Sequence, residues 1–132
     1  MRRPISTLTA TALTIGAGMA LWINHSSARD RVPVATPVGK PEFCIPHRQI
    51  TESLVRSDSV IDFKMRGGKV YRVTIDGGCP GLGFEGRFGY STSLDRLCAS
   101  DIITVLYVSP IASGARCALG PFQPVTLVPA EK

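Results

Sequence analysis

The sequence predicts an all-β domain: a small antiparallel sheet or partly open barrel of five to six short strands, stapled by disulfides. Three observations carry this. Two segments with strict two-residue alternation flank Gly67-Gly68, a β-rich run follows at Ile102–Val108, and four widely spaced cysteines lie downstream of an export-type leader.

Arg48–Val55 reads as a first strand, ended by the turn chemistry of Arg56-Ser57-Asp58-Ser59. Ile61, Phe63 and Met65 then alternate with Asp62, Lys64 and Arg66. Beyond Gly67-Gly68, Tyr71, Val73 and Ile75 alternate with Arg72, Thr74 and Asp76. A two-residue turn would pair Phe63 with Arg72 and mix core with solvent. A three-residue loop, Arg66–Gly68 or Gly67–Lys69, places Phe63 beside Tyr71 or Val73, because a one-residue slip inverts the buried face.

Gly77–Gly83 reads as a loop with no regular helix or strand, and Phe88 to Tyr90 as a short strand. Ser93–Leu97 suggests one helical turn capped by Ser93. Ile102–Val108 is apolar on both faces, which predicts the central, most buried strand; Ser109-Pro110 ends it. Pro121 and Pro124 assign the last segment, Pro121–Val128, to a sheet edge.

Residues 1–28 have the grammar of a signal peptide: Arg2 and Arg3, an apolar stretch from Leu8 to Ile23, then Ser26 and Ala28 at the −3 and −1 positions of a cleavage site. No charge falls between Arg3 and Arg29, so a retained membrane anchor is the alternative, and the only route to membrane association. Residues 29–42 (RDRVPVATPVGKPE) read as a Pro-rich flexible tether, and 43–129 as a single β domain. The formal charge of +5 drops to +3 when Arg2 and Arg3 leave with the leader, too small an excess to point to nucleic acid.

Cys44, Cys79, Cys98 and Cys117 are even in number and suit an oxidising compartment, periplasmic or secreted. No pair is spaced for a zinc knuckle or a C-x-x-C redox site, and Cys44-x-x-His47 alone does not make a metal centre. No cofactor is called for. Of three possible connectivities, loop closure favours Cys44–Cys79 with Cys98–Cys117. Gly81-Leu-Gly-Phe-Glu-Gly86 matches the dinucleotide pattern, with Asp101 at a suitable distance, but no helix or βαβ unit surrounds it.

His47 is the one histidine downstream of the leader and the base any hydrolase would need; an acidic pair among Asp76, Glu85, Asp95 and Asp101 is the other catalytic option. Asp101 is better placed to tie down the loop before the central strand. Lys64, Arg66, Lys69 and Arg72 make the first hairpin basic, and Phe84, Phe88 and Tyr90 offer a stacking platform or core filling. A contact surface is expected at the Cys79–Gly86 loop with Phe84, beside Lys64, Arg66 and Arg72.

The Cys44-Ile-Pro start, the Ile61-x-Phe-x-Met-x-Gly-Gly-x-x-Tyr71 hairpin, Cys79-Pro-Gly-Leu82, Leu97-Cys98-x-x-Asp101-x-Ile103-x-Val105 and Cys117-x-Leu-Gly-x-Phe122-x-Pro124 together resemble a family of exported proteobacterial proteins classed as a domain of unknown function. The resemblance spans about residues 43–125. It implies a shared fold and an exported setting, with no activity, substrate or catalytic residue. Many of those relatives look like lipoproteins, whereas this chain has no cysteine just after its apolar stretch. The expectation is a non-enzymatic, monomeric envelope protein, a binding or accessory module whose partner is another envelope protein or a glycan. A small periplasmic hydrolase using His47 or an acidic pair is the alternative.

Overall fold

A computed structural model describes residues 32–92, 94–108 and 110–129; residues 1–31, where the leader is expected, Ser93, Ser109 and residues 130–132 lie outside them. Alternation builds the first hairpin. Strand β4 (Val60–Met65) pairs antiparallel with β5 (Val70–Thr74), placing Phe63 opposite Tyr71 and Ile61 opposite Val73. Met65 donates its N–H to the Lys69 carbonyl, so the loop is Arg66–Gly68, one of the two three-residue registers the alternation allows. Gly67 and Gly68 take φ of 91° and 90°, which a Cβ would strain.

This hairpin is the centre of a five-stranded sheet whose order is β1 (Ala35–Pro37), β10 (Phe122–Leu127), β5, β4 and β3 (Ile50–Val55). Strand β3 (Ile50–Val55) begins two residues later than the sequence suggests, because His47–Gln49 form a 3-10 turn. Strand β10 (Phe122–Leu127) is interior, not the edge its prolines suggested, since β1 (Ala35–Pro37) pairs along its far side. Backbone alternation explains how Pro124 is tolerated there. Its carbonyl accepts Val38 N–H on the β1 side, so the missing N–H falls on that side, where pairing is already ending. The expected tether therefore contributes a strand: Ala35–Pro37 lie on the sheet, and Glu42 makes a further bridge to Phe122.

The second half of the chain builds a three-stranded sheet from β6 (Phe88–Tyr90), β8 (Ile102–Val108) and β9 (Ile111–Ala118), with β8 in the middle. Central position holds for β8, but burial on both faces does not. Ile103 and Val105 are buried, while Ile102, Leu106 and Val108 face outward with no layer over them among the described residues. A two-stranded ribbon, β2 (Cys44–Pro46) with β7 (Arg96–Cys98), completes the strands. Where a helical turn is expected, Leu94 and Asp95 form a bend and Arg96 and Leu97 belong to β7, while the expected cap, Ser93, lies outside the described residues. Within the expected loop at Gly77–Gly83 a one-turn helix begins, α1 (Leu82–Glu85).

Six of the ten described strands have five or more residues, and the antiparallel sheets do not close into a barrel. The core lies between the sheets. Ile61, Phe63, Tyr71, Val73 and Phe122 from the larger sheet meet Ile103 and Val105 from the smaller, with Ile45 and Leu97 of the ribbon and Leu82 of α1. Phe63 packs at 5.7 Å from Phe122 in its own sheet and edge-on at 6.3 Å from Phe88 in the other.

Two disulfides cross the structure, Cys44–Cys98 and Cys79–Cys117, correcting the expected pairing of sequence neighbours. By chain entropy the two arrangements differ by only about 1 kcal/mol, since closure cost grows as the logarithm of loop length. Strand register outweighs that. β2 and β7 place Cys44 directly opposite Cys98, with Cα atoms 4.0 Å apart, in the closer, non-hydrogen-bonded type of cross-strand pair. Ala99 N–H to the Phe43 carbonyl and His47 N–H to the Asp95 carbonyl continue the ladder on either side.

Candidate functional surfaces

The Cys79–Gly86 loop is held from two sides. The Asp58 carboxylate accepts the Gly83 N–H at 2.7 Å, and the Asp58 carbonyl accepts the Cys79 N–H at 2.7 Å. A Cβ on Gly83 would lie 2.9 Å from the Asp58 nitrogen, and one on Gly81 would lie 2.9 Å from the Tyr107 hydroxyl. Two of the glycines that mimic a dinucleotide motif, Gly81 and Gly83, therefore serve close packing, and Gly86 serves a left-handed φ of 66°. The four-residue helix they frame has Gly81 and Gly86 at its ends in left-handed conformation.

On this mount Leu82 is fully buried, while Phe84, two residues on, is 91% exposed. Antiparallel pairing of β6 with β8 sets Phe88 opposite Val105, so α1, just upstream, lies beside the Tyr107–Val108 end of β8 and packs against that strand. The β8–β9 tip at the same end carries Ile111, 90% exposed, and Val108, 51% exposed. Arg87, Leu106, Tyr107, Val108, Ile111, Ala112 and Ser113 line an open, largely apolar cleft of about 540 Å³ there. Sequence reasoning singled out Phe84 but not Ile111 or Val108; the signal it lacked was that β8 has only one covered face.

The basic residues grouped with Phe84 separate from it. Arg66 sits in the hairpin loop, at the opposite end of β4 from the Asp58 turn that supports α1. Lys64 pairs with Glu52 at 2.9 Å on the outer face of the large sheet. Arg72, one strand further in on that face, is turned onto Asp62. Phe88 and Tyr90 do not form a platform with Phe84. They stack on each other at 6.1 Å against the core, where burial pushes the Tyr90 hydroxyl pKa up.

His47 is exposed and its ring meets the edge of Tyr90 at 5.6 Å; no hydrogen bond from its side chain is seen among the described residues. Asp95 faces Arg48 at 3.2 Å. Asp101 accepts the Cys98 N–H at 2.7 Å, bracing the turn between β7 and β8 as the sequence suggested, and the residue before it, Ser100, has a positive φ of 76°.

Glu42 has two side-chain partners. Its Oε1 accepts from the Tyr71 hydroxyl at 2.9 Å and from Lys69 Nζ at 3.1 Å, and Lys69 stands 4.5 Å over the Tyr71 ring. The Tyr71 hydrogen bond, then the Lys69 one, lowers the Glu42 pKa. Hydrogen bonds to Tyr71 and then to Glu42 raise that of Lys69, and burial raises that of Tyr71. This cluster fastens the segment after β1 to the hairpin.

Among the described residues no helix is long and apolar enough to cross a membrane, and no group of three metal-ligating side chains comes together. Comparison with known proteins returns no matching family model, no matching curated protein and no matching solved structure.

Proposed function

We propose that this protein works outside the cytoplasm as a binding module, docking a protein of the cell envelope onto the apolar end formed by α1 and the β8–β9 tip. The observation that carries this reading is the exposure of Phe84, on a loop braced by Asp58, and of Ile111 at the same end of the domain. Exposed apolar side chains gathered at one end of a small domain mark a contact surface, and ready-made anchors lower the entropy lost on binding. The apolar character of the cleft favours a protein surface over a hydroxyl-rich glycan. The paired cysteines support the oxidising location. The resemblance to exported proteins of unknown function belongs to the same reading.

The test is site-specific photocrosslinking in intact cells. A benzophenone side chain at position 84 and one at position 111 are expected to give the same discrete adduct, lost when Val108→Asp is added. A probe at position 66 is expected to give none. Absence of any adduct at 84 and 111, or an identical adduct from 66, overturns the proposal.

A further inference from the structure

Asp62 is the one buried charged residue among those described, with none of its surface exposed. It lies on the outer face of the large sheet, opposite Arg72 on β5 and Leu54 on β3. Arg72 grips it bidentately, Nε to Oδ1 at 2.7 Å and Nη2 to Oδ2 at 2.9 Å. That pair is already neutral and geometrically matched. A second guanidinium, from Arg56 just after β3, nevertheless donates its Nε to Oδ2 at 2.9 Å. The group carries a net charge of +1, and the side chains of Arg56 and Arg72 are only 20% and 15% exposed.

Both carboxylate oxygens are occupied, but the forks are not. Neither Nη of Arg56, nor Nη1 of Arg72, takes part in a hydrogen bond seen here, and no buried polar side-chain atom lacks a partner. None of these donors is therefore both fully buried and unpaired, and each guanidinium is tied through its Nε to the same carboxylate. Arg72 also lines a groove of about 320 Å³ with Thr74, Gln123 and Asp76, where the Asp76 carboxylate disfavours an anion on its own side.

We propose that the Arg56–Asp62–Arg72 group is a binding site for a phosphate-type oxyanion, with Asp62 as positioning residue and the free guanidinium N–H groups as donors. Planar donors on side chains that are mostly buried suit such a group better than a flexible lysine would. The site is independent of the apolar end and stands or falls separately from it.

The probe is inorganic phosphate added to the full chain at constant ionic strength, read by the Nε–Hε NMR signals of Arg56 and Arg72. Saturable shifts in both are expected, weakened at least tenfold in midpoint by Arg56→Lys and abolished by Arg56→Ala; unchanged amide spectra of those variants show that the fold is kept. Vesicles containing phosphatidylglycerol, compared with phosphatidylcholine alone, separate the sources. A response to free phosphate only supports a soluble ligand, and an added response to the anionic vesicles supports a lipid headgroup. If neither probe moves the signals beyond what chloride does, the proposal is overturned.

Discussion

The ring of Tyr107 on β8 lies across the backbone of Gly114 on β9, so closely that any Cβ at position 114 would overlap its Cε2. The bulge between β8 and β9, where two residues of β9 face Val105, falls at this spot. Gly114→Ala is therefore expected to destabilise by about 1–3 kcal/mol, the range for overfilling a packed site. In a domain of this size that lowers the melting temperature by roughly 4–8 °C per kcal/mol. Combining it with Tyr107→Ala should cost less than the sum of the two single changes; strict additivity in thermal melts would show that the ring does not press on residue 114.

Non-reducing peptide mapping is expected to recover Cys44 linked to Cys98 and Cys79 linked to Cys117. Removing either bridge as a double Cys→Ser variant should cost up to about 4 kcal/mol in the chain-entropy account. Chemical denaturation with and without reductant measures it. A Cys44–Cys79 peptide would contradict the strand register of the ribbon.

Phe63 and Phe84 are expected to behave in opposite ways. Phe63→Ala empties the junction between the sheets and should cost about 3–5 kcal/mol. Phe84→Ala removes a side chain that is almost wholly in solvent and should stay within about 0.5 kcal/mol of the parent. A large stability loss at 84 would mean that the residue packs inside, and the proposed contact surface would lose its anchor.

The Glu42–Lys69–Tyr71 cluster makes a signed prediction for pH. The folded-state pKa of Glu42 is depressed, so its contribution is present above the unfolded value of 4.5 and is lost as pH falls through the folded one. Lys69 and Tyr71 are raised, so theirs is present below the unfolded values of 10.5 and 10.0 and is lost as pH rises through the folded ones. Tyr71→Phe deletes the largest cause of the Glu42 depression. Its deficit in melting temperature relative to the parent should narrow on acidification from pH 6 to 3; a constant deficit would assign the loss to packing alone.

The legible parts of the fold were those where one residue out of place reverses a buried face. The β4–β5 register is of this kind, because Phe63 beside Arg72 is untenable. Asp101 was legible as a brace because a short polar side chain before a strong strand has a nearby amide to hold. β9 was not: Ala112, Ser113, Gly114 and Ala115 have little strand preference of their own, and pairing with β8 imposes the conformation. β1 was missed likewise, its Pro-rich sequence being compatible with either a free segment or a short sheet border. The Arg56–Asp62 contact left no pattern either. Asp62 occupies a position of the alternation that reads as solvent-facing, and only the fold of the Arg56–Ser59 turn lays a guanidinium over it.

The two cystines interleave along the chain, each closing around one end of the other. Any single backbone cut between Cys44 and Cys117 consequently yields pieces still joined through sulfur, whereas bridging of sequence neighbours would let a cut between positions 79 and 98 release two fragments. In surroundings rich in proteases, a molecule of this design that is nicked once between those cysteines stays covalently in one piece.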